Sequence, residues 1–407
     1  MVASLGVAMK PVISIESGQS GVRSGFALWA LGFRPFYLGG ALFGSVAMLI
    51  WLGELTGQAL LNTGSYMSGT LWHVHEMIYG FAAAIVAGFL LTAVRAWTSS
   101  NPAEGASLAA LWLLWSAGRV LMWDGSGPVG AIVDVAFLPV VAIVLLRVLL
   151  KAKNRHNIFL PAAVILLATL NLLFHIWASH GHGDWALRTG WLAVGLLVLF
   201  VTIIGGRIIP SFTANAVPGY SATRWRLVES LVMPVTLLAF LLDAIDAPWI
   251  ATVAASGVAA IVQGARMAGW RSWRVGFRPI LLILHIAYAW IPAGFVLLGL
   301  AASGNIPHSI SIHTFTVGAV GCAIIAMITR TARGHTGRPL AAGAVEIGCY
   351  GLLILAAFLR VLGPWLAPGW TMDFIEASGL CWVVALLAYF VRYAAWLVSS
   401  WVDGKPG

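Results

Sequence analysis

The chain has 407 residues, of which 60% are hydrophobic and only 9% are charged. Soluble globular proteins carry about 25% charged residues, so this composition excludes a soluble protein and indicates an integral membrane protein. The net charge of +9 would suit a nucleic-acid partner, but the positions of the basic residues argue against one.

Twelve apolar segments are long enough to cross a membrane, since a spanning helix needs ~20 residues. None shows the alternation of a barrel strand, so an all-α membrane protein is predicted. The first 25 residues lack the apolar core of a signal peptide, and residues 1–27 are predicted to form a cytoplasmic tail. Residues 28–400 are predicted to form one transmembrane domain and residues 401–407 a second cytoplasmic tail. The predicted spans are 34–54, 71–96, 107–123, 128–149, 158–178, 189–209, 228–244, 248–267, 278–301, 310–330, 341–362 and 374–400.

The basic residues follow the topology of these spans. With a cytoplasmic N-terminus, every Lys and Arg except Arg119, Arg188 and Arg360 falls at a cytoplasmic end or loop. Acidic residues such as Glu54 and Asp184 dominate the other side. This is the positive-inside pattern, which predicts that both termini are cytoplasmic and explains the basic excess without nucleic acid.

A weak internal repeat divides the chain into thirds. The first, fifth and ninth spans each open with Phe-x-Pro, in "GFRPFYLGG", "IFLPAAVIL" and "GFRPILLIL", and proline suits the first turn of a helix. In the second span His75 precedes Gly80 by five residues, as His313 precedes Gly318 in the tenth. Gly190 takes the histidine position in the sixth. The repeat predicts three four-helix units around a pseudo-three-fold axis, with spans two, six and ten facing the middle.

Several histidines collect at the predicted outer ends of the spans, where imidazole is a common metal ligand. His73 and His75 are two residues apart, about 200° around a helix, so they point to opposite sides. Either each belongs to a different site, or one is a ligand and the other is a hydrogen-bonding neighbour. Glu76 is a candidate proton carrier, a partner orienting an imidazole, or a direct ligand. His175 ends the fifth span in the same region.

The matched positions of His75 and His313 predict the two axial ligands of a b-type haem, since facing imidazoles and small or aromatic neighbours suit that cofactor. His73, His175 and Glu76 are then predicted to form a second, neighbouring metal site. A zinc or copper site made by the outer histidines, with His75 and His313 among its candidate ligands, is the alternative.

A second group of candidates lies toward the cytoplasm. His285 and His335 are candidate haem ligands there, and Arg207 and Arg330 are candidate partners for haem propionates. Topology and snorkelling account for the two arginines more simply.

Long segments of the chain resemble the NnrS family: "WHVHEMIYGFAAAIVAGFLLTAVRAWT", "GGRIIPSFTANA" and "HTFTVGAVGCAIIAMITRTARGHTGRPL". The resemblance covers essentially all twelve spans. It implies a bacterial inner-membrane protein that contains haem and copper and takes part in the nitric oxide response and denitrification. A looser resemblance to the catalytic subunit of haem-copper oxidases and nitric oxide reductases implies three four-helix arcs, although the seventh span lacks their paired histidines.

These observations favour a haem- and copper-binding membrane protein that binds, detoxifies or reduces nitric oxide, with Glu76 relaying protons if reduction occurs. Its expected partners are lipid, nitric oxide and a periplasmic or membrane electron donor. The alternatives are a secondary transporter, which would have a similar helix count and repeat, and a haem or redox sensor without turnover.

Overall fold

A computed structural model describes residues 25–58, 60–61, 65–67, 69–125 and 127–401. Within these ranges twelve helices are long and apolar enough to cross a membrane, one for each predicted span. The described residues form no β-strand, and an isolated bridge joins Phe26 to Ser399. The predicted tails lie almost entirely outside the described ranges. The helices are α1 (Phe33–Leu55), α2 (Thr70–Thr98), α3 (Gly105–Asp124), α4 (Gly127–Lys151), α5 (Arg155–Ser179), α6 (Gly183–Ala216), α7 (Arg226–Ala244), α8 (Trp249–Val275), α9 (Pro279–Ala302), α10 (His308–Gly334), α11 (Ala344–Leu366) and α12 (Pro368–Val398).

The Phe-x-Pro segments lie where the sequence predicts, in the first turns of their helices. Pro279 is the first residue of α9, and Pro35 is the third residue of α1. Proline is tolerated there because the first turn has no acceptor for its missing N–H. These prolines therefore set where α1 and α9 begin.

Contacts between the helices recur every four helices. The last helix of each four-helix unit packs on the first helix of the next: α4 on α5, α8 on α9, and α12 on α1, which closes the ring. The second helix of each unit also contacts the first helix of the next, as α2 does α5, α6 does α9 and α10 does α1. The most deeply buried spans are α2, α6 and α10. These features agree with three units around a central axis.

Both described ends of the chain lie on the same face of the bundle. The amide of Gly25 donates to Ser400 Oγ at 3.1 Å, and the amide of Ala27 donates to the carbonyl of Val398 at 2.8 Å. We call this side the terminal face and the opposite side the distal face. The helices α2 and α10 begin at the distal face, so His73, His75 and His313 lie near it.

The inner helices α2 and α10 share a local irregularity. Each contains a π-helical segment, Glu76–Ala82 in α2 and Thr314–Gly321 in α10. These segments begin directly after His75 and His313, the two histidines matched by the sequence repeat. The α-helix of α6 is uninterrupted. Since π-helical turns occur often at functional sites, the distal halves of α2 and α10 are the first places to look for one.

Candidate metal centre and ligand cavity

Seven polar side chains from α2 to α5 and the preceding loop meet in the distal half of the bundle. Their hydrogen bonds form one connected network, and all but one of them are buried. We call this group the polar cluster: Tyr66, His75, Glu76, Arg119, Asp134, Asn171 and His175.

Two carboxylates of the polar cluster share one guanidinium. Arg119 Nη1 donates to Glu76 Oε2 at 2.7 Å, and its Nη2 contacts Asp134 Oδ1. Gly80 leaves room for this pair, because a Cβ at that position would lie 2.8 Å from Arg119 Nη1. With neutral imidazoles, two carboxylates and one guanidinium leave one negative charge inside the cluster. In the membrane such a charge needs a balancing positive charge, either a second proton on His75, whose two nitrogens both face acceptors, or a metal cation.

Three potential metal ligands converge on the other oxygen of Asp134. His175 Nε2 lies 3.0 Å and His75 Nε2 lies 3.3 Å from Asp134 Oδ2. One ligand atom from each of these residues falls within 4.8 Å of the other two. The side chain of Asn171 holds the set together: its Nδ2 donates to Asp134 Oδ2 at 2.6 Å, and its Oδ1 lies 2.9 Å from His75 Nε2.

The far nitrogen of each imidazole has its own partner. His75 Nδ1 lies 2.7 Å from Glu76 Oε1, and His175 Nδ1 lies 2.7 Å from the hydroxyl of Tyr66. Burial raises the pKa of Tyr66 to about 12, so its hydroxyl stays protonated. Metal-bound imidazoles usually donate their second N–H to a carboxylate or another acceptor. The polar cluster therefore has the ligands and the orienting partners of a metal site, together with a charge that a metal cation would balance.

A cavity of about 300 Å³ lies on the opposite side of α2, also in the distal half. This volume is at the lower end of the usual range for small-molecule sites, about 300–1,000 Å³. Most of its wall is apolar or aromatic, with side chains from α1, α2, α6, α10, α11 and α12. We call it the ligand cavity. The polar side chains in its wall are those of Trp51, Thr70, His73, Trp191, Ser309, His313, Thr316, Arg360, Ser378 and Trp382.

The two histidines of the ligand cavity each have a nitrogen available to a ligand. His313 Nδ1 lies 2.6 Å from the carbonyl oxygen of Ser309. A carbonyl only accepts, so Nδ1 carries the proton and Nε2 keeps a free lone pair. His73 stacks on Trp51, with ring centroids 4.6 Å apart, and its buried Nδ1 has no hydrogen-bond partner in the described part of the chain.

The structure thus divides the predicted ligands differently from the sequence. His73 and His75 do lie on opposite sides of α2, as their spacing predicts. However, His313 shares its cavity with His73 and not with His75, whereas His75 joins His175 in the polar cluster. The predicted axial pair His75 and His313 is not brought together around the cavity. The predicted grouping of His73 with His175 and Glu76 is likewise split between the two sites.

The reason for this division is the rotational relation between the repeats. Residues related by a three-fold axis face equivalent gaps, and not each other. His75 contacts residues of α4 and α5. His313 lines a cavity whose wall includes α12 and α1, the equivalent pair for the third unit. A match in the repeat therefore predicts two separate sites.

The candidates nearer the terminal face are accounted for by other contacts. His285 uses both ring nitrogens, with Ser272 Oγ at 2.8 Å and Thr213 Oγ at 3.0 Å. The guanidinium of Arg330 lies 3.9 Å from the centroid of the Phe212 ring.

Two further terminal-face candidates also have local partners. Arg207 donates to Asn157 at 3.3 Å. The ring of His335 packs on Phe33 with centroids 5.5 Å apart, and its pKa is lowered by burial and the charges of Arg95 and Arg34. The described contacts do not gather His285, His335, Arg207 and Arg330 into one site.

One protein family, described as NnrS protein, matches residues 27–400 and so covers almost the whole chain. The chain belongs to the NnrS family. Membership in the NnrS family makes it a membrane protein of the nitric oxide response. No curated protein matches the chain.

Within this NnrS protein, several residues of both sites were not predicted from the sequence. Asp134 and Asn171 lie in spans that read as ordinary apolar helices, although an ionisable residue within a span is a signal in itself. Arg119 and Arg360 had a clearer signal, because they are two of the three exceptions to the positive-inside pattern. Arg119 belongs to the polar cluster, and Arg360 lies in the wall of the ligand cavity.

A second cavity, of about 90 Å³, lies at mid-length of the inner helices of this NnrS protein. Tyr37 is the only described residue in its wall that carries a polar side-chain group. Residues Ala82, Leu197 and Val320 line both this cavity and the ligand cavity. We call it the central cavity. A stable buried water needs two to four polar partners, so this space suits apolar guests.

Proposed function

We propose that this NnrS protein binds haem b in the ligand cavity, with His313 and His73 as the imidazoles that face the iron, and copper in the polar cluster. In this proposal the haem is where nitric oxide is bound. The observation that carries the proposal is a cavity of about 300 Å³ into which two imidazoles turn, one with a free Nε2 and the other with an unpartnered buried Nδ1.

The side chains of the ligand cavity fit a haem. The bond from His313 Nδ1 to Ser309 fixes both the tautomer and the orientation of a ligating imidazole. Stacking on Trp51 holds the ring of His73. A buried imidazole nitrogen without a partner is costly, and coordination would satisfy it. The rings of Trp191 and Trp382 supply flat apolar surface for a macrocycle.

The polar cluster fits copper. Two imidazole nitrogens and one carboxylate oxygen are ligands that suit this metal, and the remaining negative charge favours a cation. Glu76 and Tyr66 would orient the imidazoles of His75 and His175 by accepting their second N–H groups. In this role Glu76 is a positioning residue. The proton-carrying role of Glu76 stays a prediction.

A bound haem iron supplies a site for a diatomic ligand if one axial position is open, or carries electrons if both imidazoles bind it. The chain supplies the surroundings. Apolar walls limit water around the site, and the central cavity adjoins it through three shared wall residues. Nitric oxide is small and apolar, so it enters such a space from lipid. An electron donor is expected near the distal face.

The wall of the ligand cavity argues against a proton-coupled transporter. None of its described residues is acidic, whereas such carriers place ionisable pairs near the midplane. The helices α2 and α10 also remain continuous through their π-helical segments and are not broken. We place the protein in the bacterial inner membrane with cytoplasmic termini, because the terminal face carries most of the Lys and Arg.

The test is to measure iron and copper per chain in the purified wild type and in three single variants. We expect His73→Ala to lose haem and keep copper, and His75→Ala to lose copper and keep haem. The matched control is His285→Ala, which removes a buried histidine whose two nitrogens already have protein partners and should keep both. The Soret band of the wild type should shift on adding nitric oxide.

The same variants decide between this assignment and the pairing predicted from the repeat. If His75→Ala loses haem while His73→Ala keeps it, the repeat-based pair of His75 with His313 is correct and our assignment is wrong. A wild-type protein without iron would contradict the proposal altogether.

A further inference from the structure

Part of the ligand cavity is built from helices equivalent to those of the polar cluster. The polar cluster uses α2 with α3, α4 and α5. The wall of the ligand cavity includes the corresponding helices α10, α11, α12 and α1, and α2 and α6 complete it. Both sites include an arginine from the third helix of the unit, Arg119 in α3 and Arg360 in α11. The two sites therefore correspond in part, and comparing them shows which charged partner the ligand cavity lacks.

The main difference concerns the partners of the two arginines. Arg119 pairs with Glu76 and Asp134 inside the protein. The residue after His313 is Thr314 where the residue after His75 is Glu76, and the residues of α12 in the cavity wall are uncharged. Arg360 has no hydrogen bond or ion pair among the described residues, and it is the only charged residue in the described wall.

A guanidinium without an anion is costly to the extent that it is removed from water, and Arg360 is half-buried in the wall of the cavity. The polar cluster shows how this chain meets that cost for the arginine of α3, with two carboxylates of its own. The described wall of the ligand cavity offers no carboxylate, so an anion for Arg360 would be supplied by a ligand.

We infer that Arg360 binds a carboxylate of the ligand, so that the ligand cavity takes an acidic macrocycle and not a neutral one. This inference rests on the proposed haem site and adds its charged contact. An arginine can bind a carboxylate with two parallel hydrogen bonds, which fixes orientation as well as charge. A macrocycle on His313 with its carboxylate on Arg360 is held at two points of the cavity wall.

A small inorganic anion from solution has the same charge but fits the cavity less well. The cavity measures about 300 Å³, and aromatic rings such as Trp51, Phe81 and Trp382 form part of its wall. Aromatic and apolar walls around one charged group suit an amphipathic ligand with a flat apolar body. A lone anion would leave most of that wall without contact.

The test compares haem b with its dimethyl ester, which has the same iron and ring but no free carboxylates. Both are titrated into haem-free, full-length protein in detergent, and binding is followed by the Soret absorbance. The proteins are the wild type, Arg360→Gln, Arg360→Lys and the control Arg188→Gln. Arg188 also lies near the distal face, but it pairs with the exposed Asp246 outside both sites.

We expect Arg360→Gln to weaken haem binding by about 10–100-fold, the usual loss for a hydrogen bond to a charged group. The ester should bind the wild type and Arg360→Gln with equal affinity, which also shows that the variant is folded. Arg360→Lys should recover part of the haem affinity, and Arg188→Gln should equal the wild type.

Three other outcomes would contradict the inference. Equal haem affinity in the wild type and Arg360→Gln would overturn the role of Arg360 and leave the proposed haem site standing. If the wild type binds neither haem nor ester, the proposed function and this inference fail together. In a second arm, nitrite is added to haem-free protein. If nitrite raises the unfolding temperature through Arg360 while haem binding ignores Arg360, the site takes a free anion and the inference is wrong.

Discussion

At the scale of single residues, what separates the candidate haem ligand His313 from His285 is the partner of each ring nitrogen. Both nitrogens of His285 face hydroxyl groups of the protein, so this buried histidine is already satisfied. His313 has one partnered nitrogen and one free nitrogen. Ligand candidates therefore cannot be ranked by burial or by residue type alone, and the sequence contains no information on these partners.

Tyr66 tests the orienting role of hydrogen bonds in the polar cluster. Its hydroxyl lies 2.7 Å from His175 Nδ1, so Tyr66→Phe removes a partner of the imidazole without removing a ligand. We expect copper affinity to fall by about 10-fold, as is usual when the partner of a metal-bound histidine is lost. A competition titration with a copper chelator measures this. The control is Tyr220→Phe, which removes a hydroxyl bound to the carbonyl of Trp270 and should leave copper affinity unchanged.

Arg119 tests the energetics of the same cluster. Arg119→Met leaves Glu76 and Asp134 buried without their shared cation, and removing one partner of a buried ion pair costs about 3–5 kcal/mol. The comparison is Arg188→Met, which breaks the ion pair with Asp246, a side chain that is 79% exposed. That change should cost about 1 kcal/mol or less. Denaturant unfolding of both variants, followed by circular dichroism, should show this difference, and equal losses would contradict it.

At the scale of helices, the sequence correctly predicts that His73 and His75 lie on opposite sides of α2. It does not predict which of them lies in the same site as His313. The 200° between His73 and His75 is a local property of any helix, so it could be predicted without coordinates. Which of these two histidines shares a cavity with His313 depends on how α2 and α10 are each rotated about their own helix axes. A π-helical segment follows each of His75 and His313, and we expect it to affect that rotation. No residue type in "EMIYGFA" or "TFTVGAVG" reveals these segments.

The π-helical segment of α10 offers a test of this rotation. A π-helical turn holds an additional residue, so deleting Ala319 should convert Thr314–Gly321 to regular α-helix. The part of α10 before the deletion would then rotate by about 100° relative to the rest, and His313 would leave the ligand cavity. We expect at least a 10-fold loss of haem affinity with little change in the far-ultraviolet circular dichroism. The control is Ala319→Gly, which keeps the number of residues in Thr314–Gly321 and should leave haem affinity unchanged.

At the scale of the whole molecule, the apolar pattern was sufficient to predict the architecture. All twelve spans were found because each depends on a continuous local run of apolar residues. The three-unit arrangement followed from the repeated Phe-x-Pro segments. The sites were harder because they join residues that are far apart in the chain, such as Glu76 with Arg119 and His73 with His313. Arg119 and Arg360 show that exceptions to the positive-inside pattern can mark such sites, whereas the third exception, Arg188, pairs with Asp246 outside both.

The central cavity gives the overall arrangement of the helices a possible role in the access of nitric oxide. Three inner helices meet around it, and the small side chains of Ala287 and Ala323 contribute to the space. Because the space is apolar and adjoins the ligand cavity, nitric oxide should collect there before it reaches a bound haem. Filling the space should therefore slow binding without changing the haem site itself.

Ala323→Phe tests this route, because a phenyl ring is large relative to a cavity of about 90 Å³. We expect haem content and the Soret maximum to match the wild type, since Ala323 does not line the ligand cavity. The rate constant for nitric oxide binding in stopped flow should fall several-fold. Ala254→Phe adds the same ring to an exposed position of α8 and should bind nitric oxide at the wild-type rate. An unchanged rate in Ala323→Phe would contradict this route and show that nitric oxide reaches the haem without passing through the central cavity.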